Sequence, residues 1–185
     1  MDLNFTEEQK ILRDMVRNLC EEHASTRIVR DMENDPLGVP PGLWAQMKDT
    51  GLLAMMLPEA YGGIGLDTLD RAVIYQELGR ALAPGPHFVS SVMGALAIEK
   101  GGSKAQKDAL LPAIGRGELI VTPAWLEPDN GFGPQGVQLR AETTADGYRL
   151  DGVKRHVFYA RAAQKLIVLA RTGEAADAID LLLVD

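Results

Sequence analysis

The sequence predicts an α+β chain of two parts: an all-α N-terminal bundle, then an antiparallel, barrel-like β domain that is incomplete at its C-terminus. Apolar residues recur at helical spacing from Phe5 to about Gly117. Beyond Gly117, short runs alternate apolar and polar residues. Asp146-Gly147, Asp151-Gly152 and Thr172-Gly173 separate those runs, with no helical stretch between them, which argues for an antiparallel sheet and against a βαβ unit. The 185 residues therefore divide into domains 1–118 and 119–185.

The first helix opens on a capping box, Thr6 with Gln9, and carries Ile11, Leu12, Met15, Val16, Leu19 and Cys20 as one buried stripe. Cys20 reads as a core thiol. A loop holding Asn34, Pro36, Gly38, Pro40 and Pro41 follows, then a short helix from Pro41 to Thr50 that stops at Gly51. Asp67 caps the next helix, which Ala83-Pro84-Gly85-Pro86 ends. Another places Val89, Val92, Met93, Leu96 and Ala97 on one face and stops at Gly101-Gly102. Ser103 with Gln106 is a second capping box, and Pro112 ends or kinks the last helix.

In the β half, Leu119-Ile120-Val121-Thr122 reads as the start of a strand. Val137–Thr144 and Tyr148–Asp151 form a hairpin around Asp146-Gly147. Val153–Tyr159, Leu166–Ala170 and Ile179–Val184 complete the strands. The last has nothing after it to pair with, so its open edge implies a fragment or a second chain that covers it.

Leu57-Pro58-Glu59-Ala60-Tyr61-Gly62-Gly63-Ile64-Gly65 cannot lie inside a helix or a strand. Three glycines in four positions after a proline specify a turn, or a place where backbone approaches something closely. Composition excludes several function classes. A formal charge of −7 argues against nucleic acid as a partner. One cysteine allows no internal disulfide, and three scattered histidines give no metal-ligand spacing. No basic, apolar leader follows Met1, and no apolar run is long enough to span a bilayer, so the expectation is a soluble, cytoplasmic protein.

Several motifs in order resemble the acyl-CoA dehydrogenase family. These are Phe5-Thr6-Glu7-Glu8-Gln9, the glycine block, Glu77-Leu78-Gly79-Arg80, and Gly102-Ser103-Lys104-Ala105-Gln106-Lys107 with Leu111-Pro112 and Gly117-Glu118. Leu126-Glu127-Pro128-Asp129-Asn130-Gly131, Leu150-Asp151-Gly152-Val153-Lys154, Leu169-Ala170-Arg171-Thr172 and Leu183-Val184-Asp185 follow. The resemblance implies a subunit of an FAD-dependent acyl-CoA dehydrogenase. Such an enzyme desaturates an acyl-CoA thioester by removing the α-proton and passing the β-hydride to flavin N5. It implies an electron-transfer acceptor protein and a homo- or hetero-oligomer. The family's carboxylate base belongs to the C-terminal bundle, so it is expected beyond Asp185.

The same resemblance places flavin contacts at Trp125, Leu126, Gly131, Phe132, His156, Val157 and Phe158. The acyl pocket is placed at Tyr61, Gly62, Gly63 and Phe132, with Met55, Met56 and Leu57 as an adaptable lining. Leu126 replaces the family's threonine, Phe132-Gly133 its Ser-Asp, His156 its flavin-covering aromatic and Phe158 its N5-contacting threonine. Hydroxyl donors have become apolar, leaving main-chain N–H groups to serve. That loss motivates an alternative expectation: a non-catalytic, flavin-poor partner subunit of a heteromeric dehydrogenase. Among the remaining candidates, His23 reads as a solvated residue of a last helical turn and His87 as structural. Glu127 reads as a loop-locking carboxylate. Lys154, Arg155, Arg161 and Lys165 read as a solvated basic face, with a CoA or FAD phosphate as the other possibility.

Overall fold

The computed structural model describes residues 4–128 and 131–185, so Met1, Asp2, Leu3, Asp129 and Asn130 lie outside the described residues. Helices fill the first part: α1 (Glu7–His23), α2 (Thr26–Met32), α3 (Pro41–Asp49), α4 (Thr68–Arg80), α5 (Ala95–Gly101) and α6 (Lys104–Gly115). Local chemistry sets their starts. Thr6, Asp67 and Ser103 each close a capping box, satisfying N–H groups that have no partner inside the helix. α2 has no counterpart in the sequence reading; Ser25 caps it, and none of its residues is buried. Pro112 neither ends nor breaks α6, which runs on to Gly115.

Residues 88–94 form a π-helical turn that leads into α5. A π turn closes i→i+5 hydrogen bonds, so the buried face moves by about one residue. Val89, Ser90, Ser91, Gly94, Ala95 and Ile98 face inward, while Leu96 of the expected apolar face is exposed. Ile11 is likewise exposed and lies off the α1 stripe.

Two apolar clusters organise the interior. Val16, Leu19 and Cys20 of α1 meet Leu43 and Met47 of α3, Leu52, Leu53, and Ile74 and Leu78 of α4. Burial pushes the Cys20 thiol up to about 11, as befits a core residue. The second cluster joins Leu57, Ala95, Ile98, Leu110, Leu111 and Ile114 to Val121 and Ile167, and so fastens helices to sheet. Gly94 permits this close approach, because a Cβ there would lie 3.1 Å from the Val121 carbonyl oxygen. The Ser90 hydroxyl accepts the Val121 N–H at 3.1 Å.

The β half differs from the expected antiparallel barrel. β1 (Val121–Ala124), β4 (Lys165–Arg171) and β5 (Ile179–Val184) form a mixed sheet ordered β1-β4-β5, with β1 parallel to β4 and β4 antiparallel to β5. β2 (Ala141–Thr144) and β3 (Gly147–Leu150) form a separate hairpin. A parallel pair needs a long crossover. Here residues 125–164 supply it with no α-helix among the described residues, so the lack of a helical stretch between strands does not exclude a parallel pair. No closed barrel forms among the described residues. Ala145 and Asp146 are the two hairpin loop residues, and Gly147 follows at φ +140° as the first residue of β3. Residues 153–159 form no strand, and residues 137–139 precede β2 as irregular chain, with Arg140 in an isolated parallel bridge to Arg171.

One buried carboxylate ties α1 to α4. Glu77 accepts from Arg17 at 2.7 and 3.1 Å and from Arg80 at 2.7 Å. Hydrogen bonds from Arg17 outweigh burial and hold its carboxyl down to about 2. His87, 3 % exposed, is pushed down to about 4 by burial. Both groups bind protons more readily in the unfolded chain, so both lose their stabilising effect as pH falls: His87 from 6.5 toward 4, Glu77 from 4.5 toward 2. Urea midpoints measured from pH 7.5 to 4 are expected to drop by an amount equivalent to roughly 2–3 kcal/mol, and His87→Leu is expected to flatten that fall.

Candidate functional site

The segments after β1 and before β4 come together around Glu127. The carboxylate accepts the main-chain N–H groups of Gln138 at 2.9 Å and Leu139 at 3.0 Å. Lys154 donates its ammonium to the same group at 2.7 Å, and both side chains are 7 % exposed. Burial pushes the Glu127 carboxyl up, but the Lys154 ammonium and the two N–H donors outweigh it and hold the group below the usual carboxylate range. Glu127 is therefore the loop lock that its sequence context predicts. Lys154 corrects the sequence reading: its ammonium is the counter-ion of a buried acid, not part of a solvated face.

Further bonds extend the junction. Arg155 N–H donates to the Leu126 carbonyl at 2.8 Å, and the buried Thr122 hydroxyl donates to the Phe158 carbonyl at 2.8 Å. Residues 122–127 thus run beside 154–158, which brings together the two segments expected to flank the flavin. His156 and Tyr159 sit at φ +53° and +54°, a region that costs a residue with a Cβ on the order of 1 kcal/mol or more. The Tyr159 hydroxyl accepts the Gly85 N–H at 2.8 Å and so anchors this turn to the helical half.

Trp125, Leu126, Gly131 and Phe132 line one cleft of about 380 Å³ with Val137 and Leu169. Phe132 is 86 % exposed at its margin. Val157 lines a different hollow, of about 460 Å³, beside Ala124, Leu139 and Lys154. His156 and Phe158 are exposed. Tyr61, Gly62 and Gly63 lie elsewhere. Tyr61 packs on the cluster that contains Leu57 and Leu110, and Gly62 takes φ +86°. A Cβ on Gly63 would fall 1.9 Å from the Leu57 carbonyl oxygen, so that glycine is dictated by the packing of its own turn. The cleft that holds Phe132 is not lined by these three residues.

Sequence reasoning missed a polar pair inside the helical half. The Tyr75 hydroxyl and His87 Nδ1 are 2.6 Å apart. Burial pushes the Tyr75 phenol up. The only signal in sequence is two polar-capable rings twelve residues apart with an intervening turn.

Glu127→Gln is expected to destabilise the protein by about 3 kcal/mol, because Lys154 would stay buried without its counter-charge. Urea denaturation checks this, and Lys154→Met combined with Glu127→Gln is expected to recover part of the loss.

Comparison with known proteins places this geometry. Residues 6–118 match the family model for acyl-CoA dehydrogenase, N-terminal domain. Over 177 residues the chain is 31 % identical to mitochondrial isovaleryl-CoA dehydrogenase of Pongo abelii, covering 93 % of this chain and 41 % of that protein. The fold matches a variant of the Tcur3481-Tcur3483 steroid ACAD with a TM-score of 0.85 and 34 % identity, covering 97 % of this chain and 48 % of that one. It also matches the ChsE4-ChsE5 complex from Mycobacterium tuberculosis with a TM-score of 0.85 and 28 % identity, over 100 % of this chain and 48 % of that one. The chain spans less than half the length of these relatives. With its helical half matching the family model and its β half following the same solved folds, this chain belongs to the acyl-CoA dehydrogenase family.

Proposed function

We propose that the chain is a subunit of an FAD-dependent acyl-CoA dehydrogenase and contributes one wall of the flavin site. The observation that carries this reading is the convergence of residues 125–127 and 154–158 on the Glu127–Lys154 pair. The chemistry of the donor set fits a flat ring. Trp125, Leu126 and Phe132 offer aromatic and apolar surface in one cleft, and the Trp125 indole N–H can hydrogen-bond a ring edge. When bound, FAD supplies the acceptor for the substrate's β-hydride. The chain's part is to hold that ring in place and to keep water from the reacting atoms with an apolar wall. The carboxylate base is proposed to lie outside these residues, and an electron-transfer acceptor protein to take the electrons onward.

The names of the matched solved folds support an oligomer with unlike subunits, since two of them carry paired designations and one is called a complex. They also support a bulky acyl substrate, since one is called a steroid ACAD. A second reading is favoured by Leu126, Phe132 and Phe158, which stand where hydroxyl donors would aid the flavin. In it the chain is a flavin-poor partner whose companion subunit carries the chemistry.

The whole protein, purified with any subunit that accompanies it, decides between the two. The expected result is flavin absorption near one FAD per copy of this chain, bleached anaerobically by an acyl-CoA. Flavin present only in proportion to a companion chain would select the second reading, and colourless protein would refute the first. Phe158→Thr is expected to tighten FAD binding by roughly threefold to tenfold, read by equilibrium dialysis, because one hydrogen bond is regained.

A further inference from the structure

We propose that Arg171 is a positioning residue for the candidate flavin cleft: its guanidinium holds residues 131–137 in the one shape that completes the cleft. The inference rests on the dehydrogenase reading. It gives control of flavin affinity to a side chain that is not itself part of the cleft lining.

The cleft has two unlike walls. Leu169 and Ile179 belong to β4 and β5, and Trp125 directly follows β1, so strand ladders support that side. Residues 131–137 form the other side, except that Gln135 takes no part in the lining. This stretch belongs to no strand, and it carries three glycines, one of them, Gly133, at φ +96°. Residues 131–135 are exposed. Chain of this kind loses much conformational freedom when it is held in one shape, so something must hold it.

Arg171 lies two residues past Leu169, on the same face of β4. Its Nε donates to the Val137 carbonyl at 2.7 Å and its Nη2 to the Pro134 carbonyl at 2.8 Å. Its Nη1 donates to the Ala175 carbonyl at 3.2 Å. Among the described residues no carboxylate hydrogen-bonds this guanidinium, and nearby Glu174 accepts from Arg140 instead, at 2.5 Å. Apart from the adjacent Gln138, which donates to the Gln135 carbonyl at 2.7 Å, no other described residue outside 131–137 hydrogen-bonds that stretch. A planar fork fixes the separation and direction of two carbonyls at once, which an ammonium cannot do. The constraint carries along the loop. A Cβ on Gly136 would lie 1.7 Å from the Gly131 carbonyl oxygen, so fixing 134 and 137 also fixes 131–133, and Phe132 with them. A ligand that meets a preformed wall avoids the cost of ordering a loose one.

The test uses the whole protein with its accompanying subunits, with FAD as the probe and Arg171→Ala and Arg171→Lys as variants. Equilibrium dialysis reads affinity, visible circular dichroism reads the bound ring, and urea denaturation reads the fold. Arg171→Ala is expected to weaken FAD binding roughly tenfold and to diminish the dichroism of the bound flavin, and Arg171→Lys to recover little of either. Methylguanidinium, at a concentration that leaves the urea midpoint unmoved, is expected to restore affinity to Arg171→Ala and to leave the wild type unchanged. Undiminished affinity in Arg171→Ala overturns the proposal while the dehydrogenase reading stands. A loss that tracks the urea midpoint and resists methylguanidinium also overturns it, because Arg171 would then serve the general scaffold. Wild-type protein that takes up no FAD refutes the dehydrogenase reading and the proposal with it. Should Arg171→Ala not fold, Arg171→Lys decides: affinity equal to wild type overturns the proposal, and a loss of roughly tenfold with an unmoved urea midpoint supports it.

Discussion

A single buried ion pair organises the β half of this protein. Glu127 and Lys154 are taken out of water, and their desolvation is a cost that mutual attraction alone need not repay. The structure meets it with additional donors, because the carboxylate also accepts the N–H groups of Gln138 and Leu139. The result is directional. Three stretches far apart in sequence, near 127, 138 and 154, are fixed at one point, and none of them belongs to a strand. A charged pair suits this task better than apolar contacts would, since it specifies one register for irregular chain that has no ladder to hold it.

The helical half supplies the platform. Val121 and Ile167 of the sheet insert among Leu57, Ala95, Leu111 and Ile114. The π turn at 88–94 lets Gly94 and Ser90 face β1, and the Ser90 hydroxyl meets the first N–H of that strand. The backbone at His156 and Tyr159 is strained, and the Tyr159–Gly85 and Thr122–Phe158 hydrogen bonds keep it in place. Clamp, platform and strained turn together present Trp125, Leu126 and Phe132 along one cleft.

Features carried by neighbouring residues are legible in the sequence. Thr6 with Gln9, Asp67 alone and Ser103 with Gln106 each announce a helix start, because a cap is chemistry within four residues. Glu127 is legible as a lock because a carboxylate in a loop between strands seeks main-chain donors. What depends on distant partners is not legible. Lys154 reads as solvated until a counter-ion 27 positions away is brought beside it. The parallel pairing of β1 with β4 is set by packing on α5 and α6, which no periodicity encodes. The π turn defeats any helical wheel drawn at 3.6 residues, so Leu96, which the wheel puts inward, lies outward. Tyr61, Gly62 and Gly63 illustrate the remaining gap: glycine there announces a tight turn, but the ligand or backbone that requires it is visible only in three dimensions.

Amide hydrogen exchange in wild type and in Glu127→Gln tests the central claim most directly, since three amides report on the clamp from two separate stretches. If one ion pair fixes the 122–127 and 154–158 segments, then Gln138, Leu139 and Arg155 exchange slowly in the wild type and lose protection together in the variant, while α1 and α4 keep theirs. Loss confined to Gln138 and Leu139, with Arg155 still protected, would contradict the account by showing that the 122–127 and 154–158 segments hold together without the clamp.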